Sequence, residues 1–562
     1  MIPCILEGLG VILPVWASGV FFVEGFSMRW NGLFYALLLL VLVVGAFPCY
    51  AGEHPEAAQV KNLILLIGDG MGPQQMGLLT AYANQAPHSI YTDRETALEE
   101  AMDRGVIGLI RTSPPGVLVT DSAAAATQLA SGVAAGAEMV GIDAAGGRVE
   151  TILEKAQAAG KAVGLVTDTR LTHGTPAAFA AHRPHRSEEN AIASDLAASG
   201  IDVLLGGGLR NWVPVEAGKD GSAAQDEIQH LTGGAYTFSS KRKDNRNLLL
   251  ESRLDGYQLV FNREELAKIK SGKVLGLFGN ESMSDAITKR AVKTVSGEPT
   301  LADMTQKALQ LLSQREAGFF LMVEAGQIDW ACHNNDTGSL LAELLRMDRS
   351  LEVILEWMQD REDTLLVVTA DHETGGFGFS YSGSNLPQPK QLEGEAFDGK
   401  PHQPDFNFGQ PGTLDRLHRQ KESYFSVFRQ FDALDKTEQT PARLAAIVNA
   451  ALPFPITEAQ AAAILRRIPN PLYVKDHRYL GGKEVPQIMD YADFYVFGDN
   501  LRMNLLARAV AADQNVVWAT GTHTSTPVIA VAVGPEHASK PYGKMMHATD
   551  LGKQMQSTLL GR

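Results

Sequence analysis

Lys61-Asn-Leu-Ile-Leu-Leu-Ile-Gly-Asp-Gly-Met-Gly72 is an unbroken apolar run of strand length that stops at a carboxylate, Asp69, and a glycine turn. A strand apolar on both faces belongs in the interior of a parallel sheet. Ligands of open α/β sheets collect beyond the carboxyl ends of such strands, where Asp69 stands. Asp before Gly is equally ordinary turn chemistry, so this window needs company. Two further strands end the same way. Phe319-Phe-Leu-Met-Val323 runs into Glu324, and Thr364-Leu-Leu-Val-Val-Thr-Ala370 into Asp371 and His372. In a parallel sheet the three acids share one edge, and several carboxylates in one crevice need cations to neutralise them.

Composition frames this reading. The chain has 562 residues, more than one average domain, yet α/β enzymes with insertions reach this size around a single sheet. At 45% hydrophobic and 20% charged it can bury a large core. A net charge of −15 opposes nucleic-acid binding, which needs a basic footprint. The fold class expected is α/β, a mostly parallel central sheet flanked by helices on both faces.

Four other windows supply candidate chemistry. In Gly116-Val-Leu-Val-Thr-Asp-Ser-Ala-Ala-Ala-Ala-Thr-Gln-Leu-Ala-Ser-Gly132, Gly116 to Thr120 reads as a short buried strand and Ala123 to Ala130 as a helix capped by Gly132. Asp121 and Ser122 sit at the joint, where a hydroxyl faces unpaired N–H groups that favour an anion. Alone, this is equally an N-cap on an Ala-rich core helix. Lys161 to Thr167 is the next strand, followed by a loop offering His173 and Thr175, then Arg183 and Arg186. Either arginine has the planar fork that suits phosphate oxygens, and either could instead be a surface salt bridge. After Glu324 come Asp329 and His333, whose i, i+4 spacing puts both on one helical face, able to share an ion. Cys332 lies among them at the wrong angle and reads as a packing residue. His523, in Gly521-Thr-His-Thr-Ser-Thr-Pro527, stands before a last strand from Val528 to Val533.

Residues 1–51 read as a leader. Leu33 to Phe47 is an apolar run too short to span a membrane comfortably, Arg29 precedes it, and Cys49-Tyr-Ala51 follows as a small-x-small cleavage site. Met28 is an alternative start, and Pro48 before Cys49 fits a lipoprotein signal poorly, so a lipid anchor ranks second. The protein is therefore expected to be exported, periplasmic or extracellular, with Cys332 as its single mature cysteine and no intrachain disulfide. The α/β domain is expected over 52–379 and 515–562. Residues 380–514 are expected as an inserted subdomain serving as crown, lid or interface, with helices near Pro441 to Ala451, Thr457 to Arg467 and Asn500 to Asp513. Residues 217–251 read as a polar excursion.

Ile67-Gly-Asp-Gly-Met-Gly72, Thr120-Asp-Ser-Ala-Ala124, Val323-Glu-Ala-Gly-Gln-Ile-Asp-Trp-Ala-Cys-His333, Thr369-Ala-Asp-His372 and Gly521-Thr-His-Thr524, in this order, resemble the alkaline phosphatase family, in a bacterial, large-insert form. The resemblance covers most of residues 61–380 and 515–562. It implies a phosphomonoesterase with an alkaline pH optimum, working through a phosphoserine on Ser122 with two zinc ions and one magnesium. Asp329, His333 and His523 would hold the first zinc; Asp69, Asp371 and His372 the second; Asp69, Thr175 and Glu324 the magnesium. Arg186 would clamp the phosphoryl group. His173 and Trp330 occupy positions where some members carry Asp and Lys or His, implying an altered metal preference and weaker product binding. Family members are commonly dimers, which implies a homodimer acting on small-molecule phosphate monoesters. Two alternatives stay open: a phosphodiesterase or related hydrolase of the same superfamily, and a non-catalytic metal- or phosphate-binding surface protein.

Overall fold

The computed structural model describes residues 59–561 apart from 93, 235–238 and 292–296. The expected leader at 1–51, with Cys4, Met28 and Cys49, lies outside the described residues. The central sheet has ten strands: β1 (Asn62–Gly68), β2 (Val106–Arg111), β3 (Ala162–Arg170), β4 (Val203–Gly207), β5 (Gln258–Val260), β6 (Val274–Leu277), β7 (Phe319–Ala325), β8 (Thr364–Thr369), β9 (Val528–Val533) and β10 (Met545–His547). Their spatial order is β10-β2-β9-β8-β1-β7-β3-β4-β6-β5. Only β9 runs antiparallel to its neighbours, β8 and β2.

Every residue of β1, β7 and β8 is buried, as their unbroken apolar sequences require of strands covered on both faces. One helical layer contains Leu301–Leu312 and Thr337–Trp357; the other contains Ser122–Ser131, Ile152–Ala158 and Ala548–Leu560. Among the described residues no helix is long and apolar enough to cross a membrane.

Register places the acids. Ile67 of β1 pairs with Glu324 of β7 on one side and Thr369 of β8 on the other. Asp69 and Asp371 each lie two residues beyond that level, so all three carboxylates reach one sheet edge. The reversed direction of β9 adds His523 to the same edge, because an antiparallel strand begins where its parallel neighbours end. His523–Thr524 then pairs with Glu373–Thr374, with His523 opposite Thr374.

The expected strand at Gly116–Thr120 is a correction. These residues form a turn and loop, with Val117, Leu118 and Val119 exposed and the Val117 N–H donating to Pro114 O at 3.4 Å. Pro114 and Pro115 carry no N–H to extend a ladder, and Gly116 takes a left-handed φ of 87°. The strand of this region is β2, ending five residues before Gly116, where partly exposed side chains hide the apolar signal. The 217–251 excursion holds the helix Ala223–Leu231 and the start of the helix Leu248–Leu254.

Residues 380–514 leave and return through a second antiparallel ladder, Phe377–Phe379 with Val516–Trp518. The helices within are Gly412–His418, Tyr424–Asp432, Pro441–Ala451, Glu458–Leu465 and Leu501–Gln514. Their apolar faces join the hydrophobic core of the sheet domain rather than a core of their own. A small separate cluster of Ile488, Tyr495 and Leu501 holds the segment before the last helix.

Candidate metal and phosphate site

The serine helix is built as its sequence dictates. Asp121 is the N-cap, its Oδ2 accepting the Ala123 N–H at 3.0 Å; Ser122 is the first helical residue and Gly132 closes the helix at φ 72°. Ser122 is therefore buried at the positive end of the helix, with its Oγ 3.2 Å from His372 Nε2. The seven-residue helix Gln327–His333 carries Asp329 and His333 on one face, with His333 Nε2 3.2 Å from Asp329 Oδ2.

Among the described residues three groups of potential ligands emerge: Asp329 with His333 and His523; Asp69 with Asp329 and His372; and Asp69 with His173 and Glu324. Asp371 Oδ2 lies 3.4 Å from the His372 Nε2 of the second group. Thr175 Oγ1 lies 3.4 Å from Asp69 Oδ2 in the third. Asp329 thus faces two groups, and His173 stands among the acids rather than behind them, with Nδ1 3.5 Å from Glu324 Oε1.

Imidazole orientation shows what the first group is for. His333 Nδ1 donates to Gly521 O at 2.8 Å and His523 Nδ1 to Thr120 O at 2.9 Å. A carbonyl can only accept, so in the neutral rings both Nε2 atoms carry lone pairs, 3.1 Å apart and facing Asp329, whose charge otherwise draws a proton onto His333. Lone pairs and a carboxylate converging like this suit a bound cation, and a carbonyl-anchored Nδ1 is how proteins aim a ligating Nε2. Thr374 does the same for His372. Its hydroxyl donates to Asp329 Oδ1 at 2.6 Å and leaves lone pairs 3.2 Å from His372 Nδ1.

Electrostatics agree. Asp69 Oδ1, Glu324 Oε1, Asp371 Oδ2 and His173 Nδ1 are buried without a hydrogen-bond partner. Burial, then repulsion from Asp371, Asp329 and Glu324, pushes the Asp69 carboxyl well above the carboxylate range. Burial and Asp329 push Asp371 up to about 7. Burial and neighbouring imidazoles hold His372 well below the usual histidine value, and His523 falls to about 4 with burial the main cause. Despite burial, Asp329 and Glu324 are held low by neighbouring histidines and Asp329 raises His333, so the site already balances part of its charge internally. Asp69 and Asp371, which resist ionisation, and His372 and His523, which resist protonation, complete a donor set that fits bound divalent cations.

Arg186 is the arginine at the site. Its Nη1 donates to Asp121 Oδ2 at 2.9 Å, and its Nη2 lies 3.0 Å from His173 Nε2. Arg183, the competitor in sequence, is committed to Asp195 through Nε at 2.8 Å. Trp330 stands edge-on to His173, ring centroids 6.0 Å apart. Cys332 is buried beneath the site, its thiol pushed up by burial.

Several residues here escape sequence reasoning. Asp121 has a second job beyond its cap. Thr167 and Thr169 both donate to Glu324 Oε2, the latter at 3.1 Å. Asp168 between them turns the other way and receives the Gly326 N–H at 2.8 Å, fixing the turn after Glu324. The Thr-Asp-Thr alternation at a strand end was the available signal, since period two sends the threonines to one face. Glu373 joins Gln75, at 2.6 Å, to Thr524, tying the His372 turn to the His523 loop.

Comparison with known proteins places this geometry. Alkaline phosphatase 4 of Bacillus subtilis is 35% identical over 335 residues, 59% of this chain and 66% of that one, so the chain spans just under two thirds of this relative's length. A crystal structure of the Thermus thermophilus alkaline phosphatase superposes with a TM-score of 0.68 at 27% identity, covering 90% of this chain and 92% of that one. The cold-active alkaline phosphatase from the psychrophile Shewanella sp. superposes with a TM-score of 0.63 at 27% identity, covering 89% and 99%. The alkaline phosphatase family model matches residues 60–560, nearly the whole described chain, and the protein belongs to that family.

Proposed function

We propose that this protein is a metal-dependent phosphomonoesterase in which Ser122 is the nucleophile and a phosphoserine forms and is hydrolysed. The observation that carries this reading is Ser122 Oγ at a helix N-terminus, 3.2 Å from a histidine nitrogen inside the carboxylate–imidazole cluster, with Arg186 beside it.

Two sets of oxygen and imidazole ligands suit zinc: Asp329, His333 and His523 for one ion, and Asp69 and His372, with Asp371 beside them, for another. Asp69, Thr175 and Glu324 offer oxygens that suit magnesium; His173 Nδ1 would tilt that site toward zinc once free of its proton, which requires Nε2 to give up the Arg186 N–H. When bound, the cations lower the pKa of a hydroxyl to the working range and balance the charge on the phosphoryl and leaving oxygens.

The chain's own residues do the rest. Arg186, held by Asp121, presents its fork to two phosphoryl oxygens, and the first N–H groups of the Ser122 helix face the same charge. Ser122 gives up its proton to a water at the site, its Oγ bonds to phosphorus, and the bond to the alcohol oxygen breaks on the opposite side, the alkoxide taking a proton from water as it leaves. Water then attacks phosphorus and returns Ser122 with inorganic phosphate.

Ser122→Ala tests this. Turnover of p-nitrophenyl phosphate should fall by about 10³-fold or more while inorganic phosphate still binds. Full activity without Ser122 would refute the mechanism. The bis ester run alongside separates a monoesterase from a diesterase. Export through the 1–51 leader and homodimer formation complete the proposal, checked by fractionation and by mass in solution.

A further inference from the structure

Three rings lead outward from the ligand cluster. Phe497 packs on His333 at 4.8 Å between centroids with a 74° interplanar angle, and Tyr479 packs on Phe497 at 5.3 Å and 87°. Phe497 is half-buried and Tyr479 is 42% exposed. Arg478 lies 5.1 Å from the Tyr479 centroid and His477 has its ring centroid 6.5 Å away, and the Tyr479 side chain still keeps solvent-exposed surface. Both aromatic residues come from the insertion, not from the sheet domain.

The run is fixed in place rather than lying loosely over the site. Phe494 O accepts from Gly521 N at 3.3 Å and from Thr520 Oγ1 at 3.0 Å, which binds the segment to the loop carrying His523. Asn504 Nδ2 donates to His333 O at 2.8 Å. The separate cluster of Ile488, Tyr495 and Leu501 gives the segment its own packing. An aromatic ring so anchored loses little freedom when it binds something, which favours its use in recognition.

Direction follows from the displacement. Nucleophile and leaving group lie on opposite sides of phosphorus. Ser122 Oγ belongs with His372, so the leaving oxygen faces the group of Asp329, His333 and His523, the group that Phe497 flanks. Resting on the phosphatase reading above, we infer that Phe497 and Tyr479 form a leaving-group subsite that selects phosphate monoesters whose alcohol carries an aromatic ring. Offset or edge-on ring contacts there supply the selectivity.

The test compares 2-phenylethyl phosphate with n-butyl phosphate on the metal-loaded full chain. Both release primary alkoxides, so leaving-group chemistry cancels and the ratio of kcat/KM reports the ring. Binding of the matching phosphonates by calorimetry gives a second readout without turnover. The wild type should favour the phenyl ester by roughly three- to tenfold, with the same preference in phosphonate affinity. Tyr479→Ala and Phe497→Leu should each shrink both ratios toward one. A residue that merely props His333 would lower both substrates equally and leave the ratio intact. No preference in the wild type, or a preference untouched by both substitutions, overturns the inference. Turnover of neither ester by the wild type defeats the phosphatase reading instead, and the phosphonate affinities then decide for or against the aromatic subsite.

Discussion

Asp121 Oδ2 accepts the Arg186 Nη1–H at 2.9 Å and the Ala123 N–H at 3.0 Å, so one carboxylate oxygen both orients the arginine at the site and caps the Ser122 helix. The two roles separate by substitution. Asp121→Ala removes both, and should destabilise the protein by about 1 kcal/mol through the lost cap. Asp121→Asn keeps an oxygen for the cap but loses the charge that holds Arg186. Inhibition by inorganic phosphate should weaken several-fold, about 3- to 10-fold, in both variants, because Arg186 must then be ordered by the ligand. Thermal melting distinguishes them: only the alanine variant should show a clear drop.

Trp330 brings an uncharged ring to within 6.0 Å of His173, itself in contact with Arg186. Trp330→Lys would place an ammonium on this side of the phosphoryl position, where attraction to a dianion is strong because solvent screening is reduced. Inorganic phosphate should then inhibit more tightly, by roughly 3- to 10-fold, and kcat should fall wherever phosphate release is slow. An unchanged inhibition constant would show that position 330 does not act on bound phosphate.

The sheet and most of this site were legible because their signals are local. Unbroken apolar runs ending in Asp69, Glu324 and Asp371 mark buried parallel strands, and the i, i+4 pair Asp329 and His333 marks one helical face. What stayed hidden depends on partners far away in the chain. Val106–Arg111 looks weak because it lies near the sheet margin with alternate side chains exposed, whereas Val117, Leu118 and Val119 look buried but follow two prolines. Arg183 and Arg186 are equivalent until Asp195 takes the first and Asp121 the second. No spacing rule could assign Thr374, whose value lies in standing between Asp329 and His372.

Removing the cations should expose the repulsion they balance. Without them Asp371 titrates near 7 and Asp69 well above the ordinary carboxyl, both above their unfolded values near 3.8. A carboxyl with a raised folded pKa binds more protons in the native state, so stability declines as pH rises from about 4 to about 7. Cation binding requires the ionised forms and so strengthens over the same range. The gap in melting temperature between metal-loaded and chelator-treated protein should therefore widen from pH 5 to pH 8, and zinc with magnesium should restore it. At a thousandfold excess over Kd each ion contributes about 4 kcal/mol. A gap independent of pH would contradict the assigned carboxylate ligands.

Below the site, Arg346 is buried between two acids, with Nη2 3.0 Å from Asp168 Oδ2 and also against Glu343 Oε2. One cation cannot satisfy both. Burial, with repulsion from Asp168, pushes Glu343 up to about 8 despite Arg346, and burial brings Asp168 to about 6. Glu343 thus holds its proton in the folded protein after the unfolded chain has lost it, and its contribution to stability declines as pH rises from about 4.5 to about 8. Glu343→Gln should flatten that decline and raise the melting temperature at pH 8 relative to wild type, while Arg346→Met, which strands the Asp168 charge, should destabilise by about 3–5 kcal/mol. Because Asp168 holds the Gly326 N–H after Glu324, the Arg346 variant should also bind magnesium more weakly, measurable by calorimetry. If Glu343→Gln instead steepened the pH dependence, the carboxyl would have to be ionised and paired in the native state, and Arg346 would be neutralising it rather than Asp168.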